Sequence, residues 1–202
     1  MTTTLLQISS SINNGKGESS QLARQFVEAY VASHPGTRVI KRDVAAAEQV
    51  PHLTAERFGA FITPPEQRDA SQQAVVEYSD ALINELKQAD LIVLGLPMYN
   101  FGVPSQLKAY FDHVARAGVT FKYTEKGPVG LLTGKKALVF AARGGIYAGT
   151  PMDTQTSYVR DFLRFIGIAE VEFVYAEGLA YGPEAKTASV AKANEAAIKL
   201  AA

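Results

Sequence analysis

Asp90-Leu91-Ile92-Val93-Leu94-Gly95-Leu96, followed at once by Pro97-Met98-Tyr99-Asn100-Phe101-Gly102-Val103-Pro104, is the stretch on which the fold turns. Its first half is continuously apolar and rich in branched side chains. It is too short for a buried helix and predicts a central strand of a parallel sheet, covered on both faces. Its second half cannot extend that strand, because Pro97, Gly102 and Pro104 break regular structure. Proline favours the first position of a helix, so Pro104 opens one that runs to Ala115.

The same rhythm recurs on either side. Thr4 to Ile8 is a short apolar strand, and Leu22, Ala23, Phe26, Val27, Tyr30 and Val31 line one face of a helix from Ser19 to Ser33. Thr37 to Asp43 predicts a second strand. Val44 to Asp69, with Pro51, Pro64 and Pro65, is loop-rich with a short helix around Thr54 to Phe61, and a helix from Ala70 to Gln88 leads into the central strand. Gly118 to Gly134 alternates polar and apolar around Lys126-Gly127-Pro128, which predicts a hairpin insertion. Lys136 to Ala142 is a fourth strand, Thr156 to Ile166 a helix, Glu170 to Glu177 a fifth strand and Pro183 to Leu200 a closing helix. Five strands alternating with helices predict an α/β fold: an open, doubly wound, five-stranded parallel sheet with helices on both faces and a small hairpin insertion. A single domain over residues 1–202 is expected.

Composition narrows the chemistry. At 202 residues and 47% hydrophobic side chains the chain can bury a core without staples. Lys+Arg and Asp+Glu number 20 each, and zero net charge argues against nucleic-acid or anionic-membrane partners. The absence of cysteine removes disulfides, thiolate nucleophiles and cysteine-ligated metals. His34, His52 and His113 show no metal-ligand spacing, so no metal is expected. No G-x-S-x-G elbow or long apolar window is present, and MTTTLLQISSS lacks the features of a signal peptide, so a cytoplasmic protein is expected.

Ligands of doubly wound sheets bind outside the carboxyl ends of the strands. The loop Ser9-Ser10-Ser11-Ile12-Asn13-Asn14-Gly15-Lys16-Gly17-Glu18-Ser19 offers hydroxyls, glycines and a helix start, the ingredients of a phosphate cradle. It reads equally as a surface loop in which Ser19 or Glu18 caps the helix. Gly15 to Ser20 is close to G-x-G-x-x-G, with Asp43 as a candidate ribose ligand, which keeps an NAD-binding dehydrogenase open. Against it, six residues separate Ile8 from Gly15, and no tyrosine has the lysine four residues on that a short-chain enzyme uses. The Walker pattern fails at Val129 and Lys136. Met98, Tyr99, Asn100 and Phe101 place a thioether and two aromatics around one amide, a platform for a flat heterocycle or a set of core contacts. Ala142-Arg143-Gly144-Gly145-Ile146-Tyr147 is a turn, or a backbone surface for negative charge. Read together, these loops describe a flavin mononucleotide (FMN) site; an electron-carrier module of the same fold is the alternative from another class.

Pro97-Met98-Tyr99-Asn100-Phe101, Gln106-Leu107-Lys108, Ala115-Arg116-Ala117-Gly118-Val119-Thr120-Phe121, Tyr123-Thr124-Glu125, Thr133-Gly134-Lys135-Lys136, Arg143-Gly144-Gly145-Ile146, Phe165-Ile166-Gly167-Ile168 and Ala180-Tyr181-Gly182-Pro183 carry a resemblance nearly end to end. The chain resembles the FMN-dependent NADH:azoreductase family of flavodoxin-like quinone reductases. The resemblance implies phosphate contacts at Ser10, Gly17, Glu18 and Ser19, where the family usually shows Ser-Gln-Ser over the last three positions. It implies ring contacts at Met98, Tyr99, Asn100, Phe101, Ala142, Arg143, Gly144 and Gly145, and substrate contacts at Tyr123, Tyr147 and Phe165. Gly17 and Ala142 lack hydroxyls that the family carries, Glu18 replaces a glutamine beside the expected phosphate, and Tyr147 stands where a histidine is common. Glu18 therefore predicts weaker FMN retention unless its carboxylate turns away. The family activity implied is ping-pong hydride transfer from NADH or NADPH through FMN to quinone, azo or nitroaromatic acceptors. It implies a homodimer with Phe165 of one subunit lining the site of the other, and no catalytic side chain beyond the flavin.

Overall fold

The computed structural model describes residues 3–46 and 50–202. Along the chain run β1 (Thr4–Ser9), α1 (Glu18–Ser33), β2 (Arg38–Asp43), α2 (Ala55–Ile62), α3 (Ala70–Gln88), β3 (Leu91–Pro97), α4 (Ser105–Val114), β4 (Phe121–Thr124), β5 (Gly127–Gly130), β6 (Lys136–Ala142), α5 (Thr154–Phe165), β7 (Glu170–Ala176) and α6 (Pro183–Ala201). The five-stranded sheet has the order β2-β1-β3-β6-β7, and every pairing in it is parallel. Strand order reverses direction at β1 and β3, so the helices that follow these two strands pack on opposite faces and leave a crevice at their carboxyl ends.

Alternation along each strand sends successive side chains to opposite faces, and here both faces are apolar. Leu5, Leu91, Val93, Leu138 and Phe140 pack under α1 and α6 with Leu22, Phe26, Ala193 and Ala197. Leu6, Ile8, Ile92, Leu94 and Val139 pack with Leu82, Leu86, Leu107, Tyr110, Phe111 and Leu163 from α3, α4 and α5. Every residue of β3 is buried, as its unbroken hydrophobicity requires. The expected hairpin is β4–β5, antiparallel and outside the main sheet. Its return strand is held against the end of α5: a Cβ on Gly130 would stand 2.1 Å from the Gly167 nitrogen, and the Leu132 N–H donates to the Ile166 carbonyl over 2.9 Å.

Helix ends differ in detail from the sequence expectation. Pro104 is the N-cap of α4 rather than its first residue. Helix α5 begins two residues early, because the Asp153 side chain accepts from the Thr156 N–H and caps it. The cap of α1 is Gly17, with no side-chain oxygen in the capping role, so neither Ser19 nor Glu18 caps the helix.

His113 on α4 is fully buried. Its Nε2–H donates to the Pro51 carbonyl over 2.9 Å, the rings of Tyr78 and Phe61 stand edge-on to it, and Nδ1 has no partner among the described residues. Burial, with help from Arg57, holds its pKa below the ordinary histidine value against the opposing pull of the Pro51 carbonyl and Asp112. The unfolded chain, titrating near 6.5, therefore binds more protons below about that pH, and stability is lost as pH falls toward the lowered folded value. The urea midpoint of the parent is expected to drop between about pH 7.5 and pH 5.5. His113→Gln, which keeps a donor for Pro51, is expected to flatten that slope; an equal drop in the variant would contradict it.

Candidate functional site

The backbone of β3 ends in a tight reversal. The Tyr99 N–H donates to the Gly102 carbonyl over 3.1 Å and the Gly102 N–H returns to the Tyr99 carbonyl over 2.9 Å. Between them Asn100 and Phe101 both adopt positive φ, 48° and 65°. This is the geometry of a two-residue turn usually filled by Asn-Gly, and a phenylalanine in it is strained by on the order of 1 kcal/mol. The strain is sustained from α5: the Thr154 hydroxyl donates to the Phe101 carbonyl, and the buried Gln155 amide donates to the Pro97 and Gly102 carbonyls over 2.8 and 3.1 Å. Asn100 and Phe101 are left exposed at the tip. They line a cleft of about 270 Å³ together with Met98, Gly144 and Tyr147. Phe101 meets the Tyr147 ring edge-on at 5.6 Å.

The first loop lies alongside. Gly95 in β3 has its Cα against the start of α1: a Cβ there would stand 3.0 Å from the Ser19 carbonyl oxygen. The Ser10 hydroxyl is buried and donates to the Gly95 carbonyl over 2.7 Å, so it braces this approach rather than facing the cleft. Ser19 is fully buried, and its hydroxyl and that of Ser20 have no partner among the described residues. Glu18 turns its carboxylate to α6, where Lys186 Nζ lies 2.6 Å away. The Tyr99 hydroxyl reaches back into this loop, accepting from the Ile12 N–H and lying 3.3 Å from Ser11 Oγ.

At the end of β6 the three carbonyls of Arg143, Gly144 and Gly145 accept from the N–H groups of Leu179, Ala180 and Gly178 respectively. The Gly144 and Gly145 N–H groups take no part in that ladder. Ala142 is buried and its carbonyl accepts from the Met98 N–H over 3.1 Å. The Arg143 side chain is 1% exposed and points into the protein, where Asp153 lies at 3.0 Å, Glu177 at 3.2 Å and the Thr156 hydroxyl at 2.9 Å. Glu177 also accepts from the N–H groups of Tyr147 and Ala148. Burial opposes ionisation of Asp153, but hydrogen bonds from Arg143 and Thr156 outweigh it and hold its pKa below the usual carboxylate range.

The structure thus brings together the first loop, the Met98–Phe101 turn, the Gly144–Gly145 backbone and Tyr147. It does not bring Tyr123 and Phe165 to them. Phe165 packs on Phe121 at 4.3 Å, and Phe121 on Tyr123 at 5.4 Å, at the far end of α5. Thr154, at the start of that helix, holds the Phe101 turn, so the two groups are separated by its length, roughly 17 Å. Asp43 ends β2 beside Ser9, its pairing partner in the sheet, and one oxygen of its carboxylate accepts from the Ala45 N–H. Sequence reading missed Thr154, Gln155, Asp153 and Glu177, which shape the site from outside its loops; the only local signal was the polar run Asp153-Thr154-Gln155-Thr156 before a helix.

Comparison with known proteins agrees with this layout. A family model described as "Flavodoxin-like fold" matches residues 3–201. An FMN-dependent NADH:quinone oxidoreductase of Cellvibrio japonicus is 59% identical over 189 residues, 94% of each chain. A similarly named protein of Burkholderia lata is 54% identical over 96% of this chain and 98% of its own. Among solved structures, an azoreductase from Bacillus anthracis superposes with a TM-score of 0.88 at 30% identity, covering 98% of both chains. An FMN-dependent NADH-azoreductase from the same species, in complex with FMN, gives 0.85 at 28% identity over 100% of both.

Replacing the Gln155 amide by a hydrocarbon removes its bond to the Pro97 carbonyl and leaves the Gly102 carbonyl with the Tyr99 N–H alone. Gln155→Leu is expected to cost about 2 kcal/mol and lower the thermal midpoint by roughly 4–8 °C in calorimetry. An unchanged midpoint would mean that the strained turn does not depend on α5.

Proposed function

Since the chain belongs to the family defined by the flavodoxin-like fold, we propose that it is an FMN-dependent NADH oxidoreductase reducing quinones and azo compounds. The observation that carries the reading is a juxtaposition at one sheet edge: the Ser19 hydroxyl at a helix start, fully buried and without a partner among the described residues, lies across Gly95 from the turn that displays Met98, Asn100 and Phe101. A phosphate needs the first and a flat ring needs the second. FMN held there would supply the redox chemistry, hydride exchange between NADH and an electron-poor aromatic acceptor.

The protein's part is to hold and orient. Ser19 and the N–H groups at the start of α1 face the phosphate, and Glu18 contributes its backbone while Lys186 draws its carboxylate off, which offsets the repulsion expected from its sequence position. Met98, Tyr99, Asn100 and Phe101 provide the ring surface. Gly144 and Gly145 offer N–H groups to the polar edge of the ring, where donors stabilise negative charge. Arg143 and Ala142 act through their backbone, the arginine side chain being committed to Asp153 and Glu177. Tyr147 closes the cleft against Phe101 in place of a histidine. Against the dehydrogenase alternative stand the relatives, which carry the name FMN-dependent NADH:quinone oxidoreductase.

A second copy of the chain completes the site in this reading. Phe58, Ile62 and Tyr123 are exposed by 52%, 69% and 74% and line a hollow of about 450 Å³. The Tyr123–Phe165 cluster can reach a cleft only on another protomer, so we infer a homodimer with the active site at its interface. The inferred protein is a single FMN-binding domain acting in the cytoplasm; no described helix is long and apolar enough to cross a membrane.

The purified protein should carry a flavin spectrum that NADH bleaches under anaerobic conditions, with menadione or methyl red restoring it. Intersecting double-reciprocal plots would contradict a ping-pong cycle, which requires parallel lines. For the dimer, light scattering should give twice the chain mass for the parent and the monomer mass for Phe58→Glu/Ile62→Glu. The monomer should bind FMN and lose turnover; a fully active monomer would remove the shared site.

A further inference from the structure

The segment from Arg143 to Ala148 is closed into a ring by one oxygen atom. Oε1 of Glu177 accepts from Arg143 Nη1 over 3.2 Å, from the Tyr147 N–H over 2.9 Å and from the Ala148 N–H over 3.0 Å. Both ends of the loop after β6 therefore meet on the same carboxylate, whose side chain is 13% exposed. Glu177 is itself fixed, because its N–H donates to Ser189 Oγ on α6 over 2.9 Å. Hydride exchange at a flavin makes no direct use of this carboxylate.

What the ring encloses is the part of the loop with the least restraint of its own. Gly144 and Gly145 carry no side chains, and a Cβ on Gly145 would have to displace the Tyr147 ring, whose nearest atoms stand 2.6 Å from it. The carbonyls of Arg143 and Gly144 accept from the Leu179 and Ala180 N–H groups over 3.2 and 3.0 Å. In a trans peptide the N–H points opposite to the carbonyl, and no peptide bond among the described residues is cis. The Gly144 and Gly145 N–H groups consequently face away from residues 178–180, and Gly144 lines the cleft beside Met98 and Asn100. The carbonyl bonds leave the loop hinged along one edge. The Glu177 oxygen holds its far side, at Tyr147 and Ala148.

We propose that Glu177 is the positioning residue for the Gly144 and Gly145 N–H groups: by closing the loop it fixes their direction at the polar edge of the flavin ring and so sets the potential at which bound FMN is reduced. The proposal rests on the FMN reading above. Donors aimed at that edge stabilise the reduced ring more than the oxidised one, since negative charge develops there on reduction. A loop free to pivot loses this difference, and the potential falls.

Reduction of the FMN-loaded protein against reference dyes reads the two-electron midpoint potential, and two conservative variants separate reach from charge. Glu177→Asp keeps the charge but draws the oxygen back by one carbon–carbon bond, about 1.5 Å. It is expected to weaken reduced FMN about tenfold relative to oxidised FMN, which lowers the potential by about 30 mV. Glu177→Gln loses the charge but keeps an acceptor oxygen for all three donors, which share Oε1 alone. Its potential is expected to equal or exceed that of the parent, because removing a negative charge favours reduction. An unchanged potential in Glu177→Asp would overturn the proposal, whatever happens to its FMN affinity; so would a fall in Glu177→Gln as large as that in Glu177→Asp. Without flavin, amide hydrogen exchange at residues 144–148 is expected to run about tenfold faster in Glu177→Asp than in the parent, and equal rates would likewise contradict the role of the carboxylate. A parent that takes up no FMN would overturn the FMN reading itself, while the exchange rates would still decide whether Glu177 holds the loop.

Discussion

The site depends on the absence of a side chain at residue 95. With a bare Cα at that point in β3, the Ser19 carbonyl comes to the 3.0 Å at which a Cβ would stand, and the Ser10 hydroxyl reaches the Gly95 carbonyl. Helix α1 therefore starts hard against the central strand instead of riding a side chain's width above it. Everything at this edge follows from that approach. It brings the first loop within reach of the Tyr99 hydroxyl, and one aromatic residue then ties the helix start to the turn beneath the cleft. A larger residue at position 95 would part the two halves of the site while leaving both folds locally intact.

The other side of the cleft depends on a buried charge. A fully enclosed arginine is costly unless paired, and Arg143 meets two carboxylates, a hydroxyl and the face of Tyr175 at 5.0 Å. Such a cluster is a weak source of net stability but a strong source of geometry, because each partner comes from a different segment. Asp153 caps α5, Glu177 gathers the N–H groups of Tyr147 and Ala148, and Arg143 itself leaves β6. The loop bearing Gly144 and Gly145 is thereby fixed at both ends while its N–H groups stay outside the carbonyl ladder.

Periodicity made the sheet legible, since β3 is apolar throughout, β6 is apolar after Lys136, β1 is broken only by Gln7 between Leu6 and Ile8, and their helices carry regular stripes. The three loops were legible as well, because the carboxyl end of a parallel strand is a place that topology dictates. What stayed hidden are contacts between distant positions. Nothing near Glu18 announces Lys186, and nothing near Phe101 announces Gln155, 54 residues later in the chain. The cap of α1 misled for a related reason: local preference favours a serine or an acidic residue, whereas the hydroxyl beside Gly17 arrives from six residues upstream. Tyr123 and Phe165 were grouped with the ring site through resemblance, and no sequence signal tells that one chain keeps them at opposite ends of a helix.

That helix has a mechanical consequence. Its last turn runs into Gly167, packed backbone to backbone against Gly130 of the hairpin, and its first turn grips the carbonyls of the Phe101 turn. Two glycines in contact leave no compressible side chains between hairpin and helix, so the joint is stiff, and α5 behaves as a rod with the hairpin at one end and the strained turn at the other. A push on the hairpin is therefore delivered as tilt at Asn100 and Phe101. The hairpin and the ring surface of one chain are thus joined through a single helix that is fixed at both of its ends.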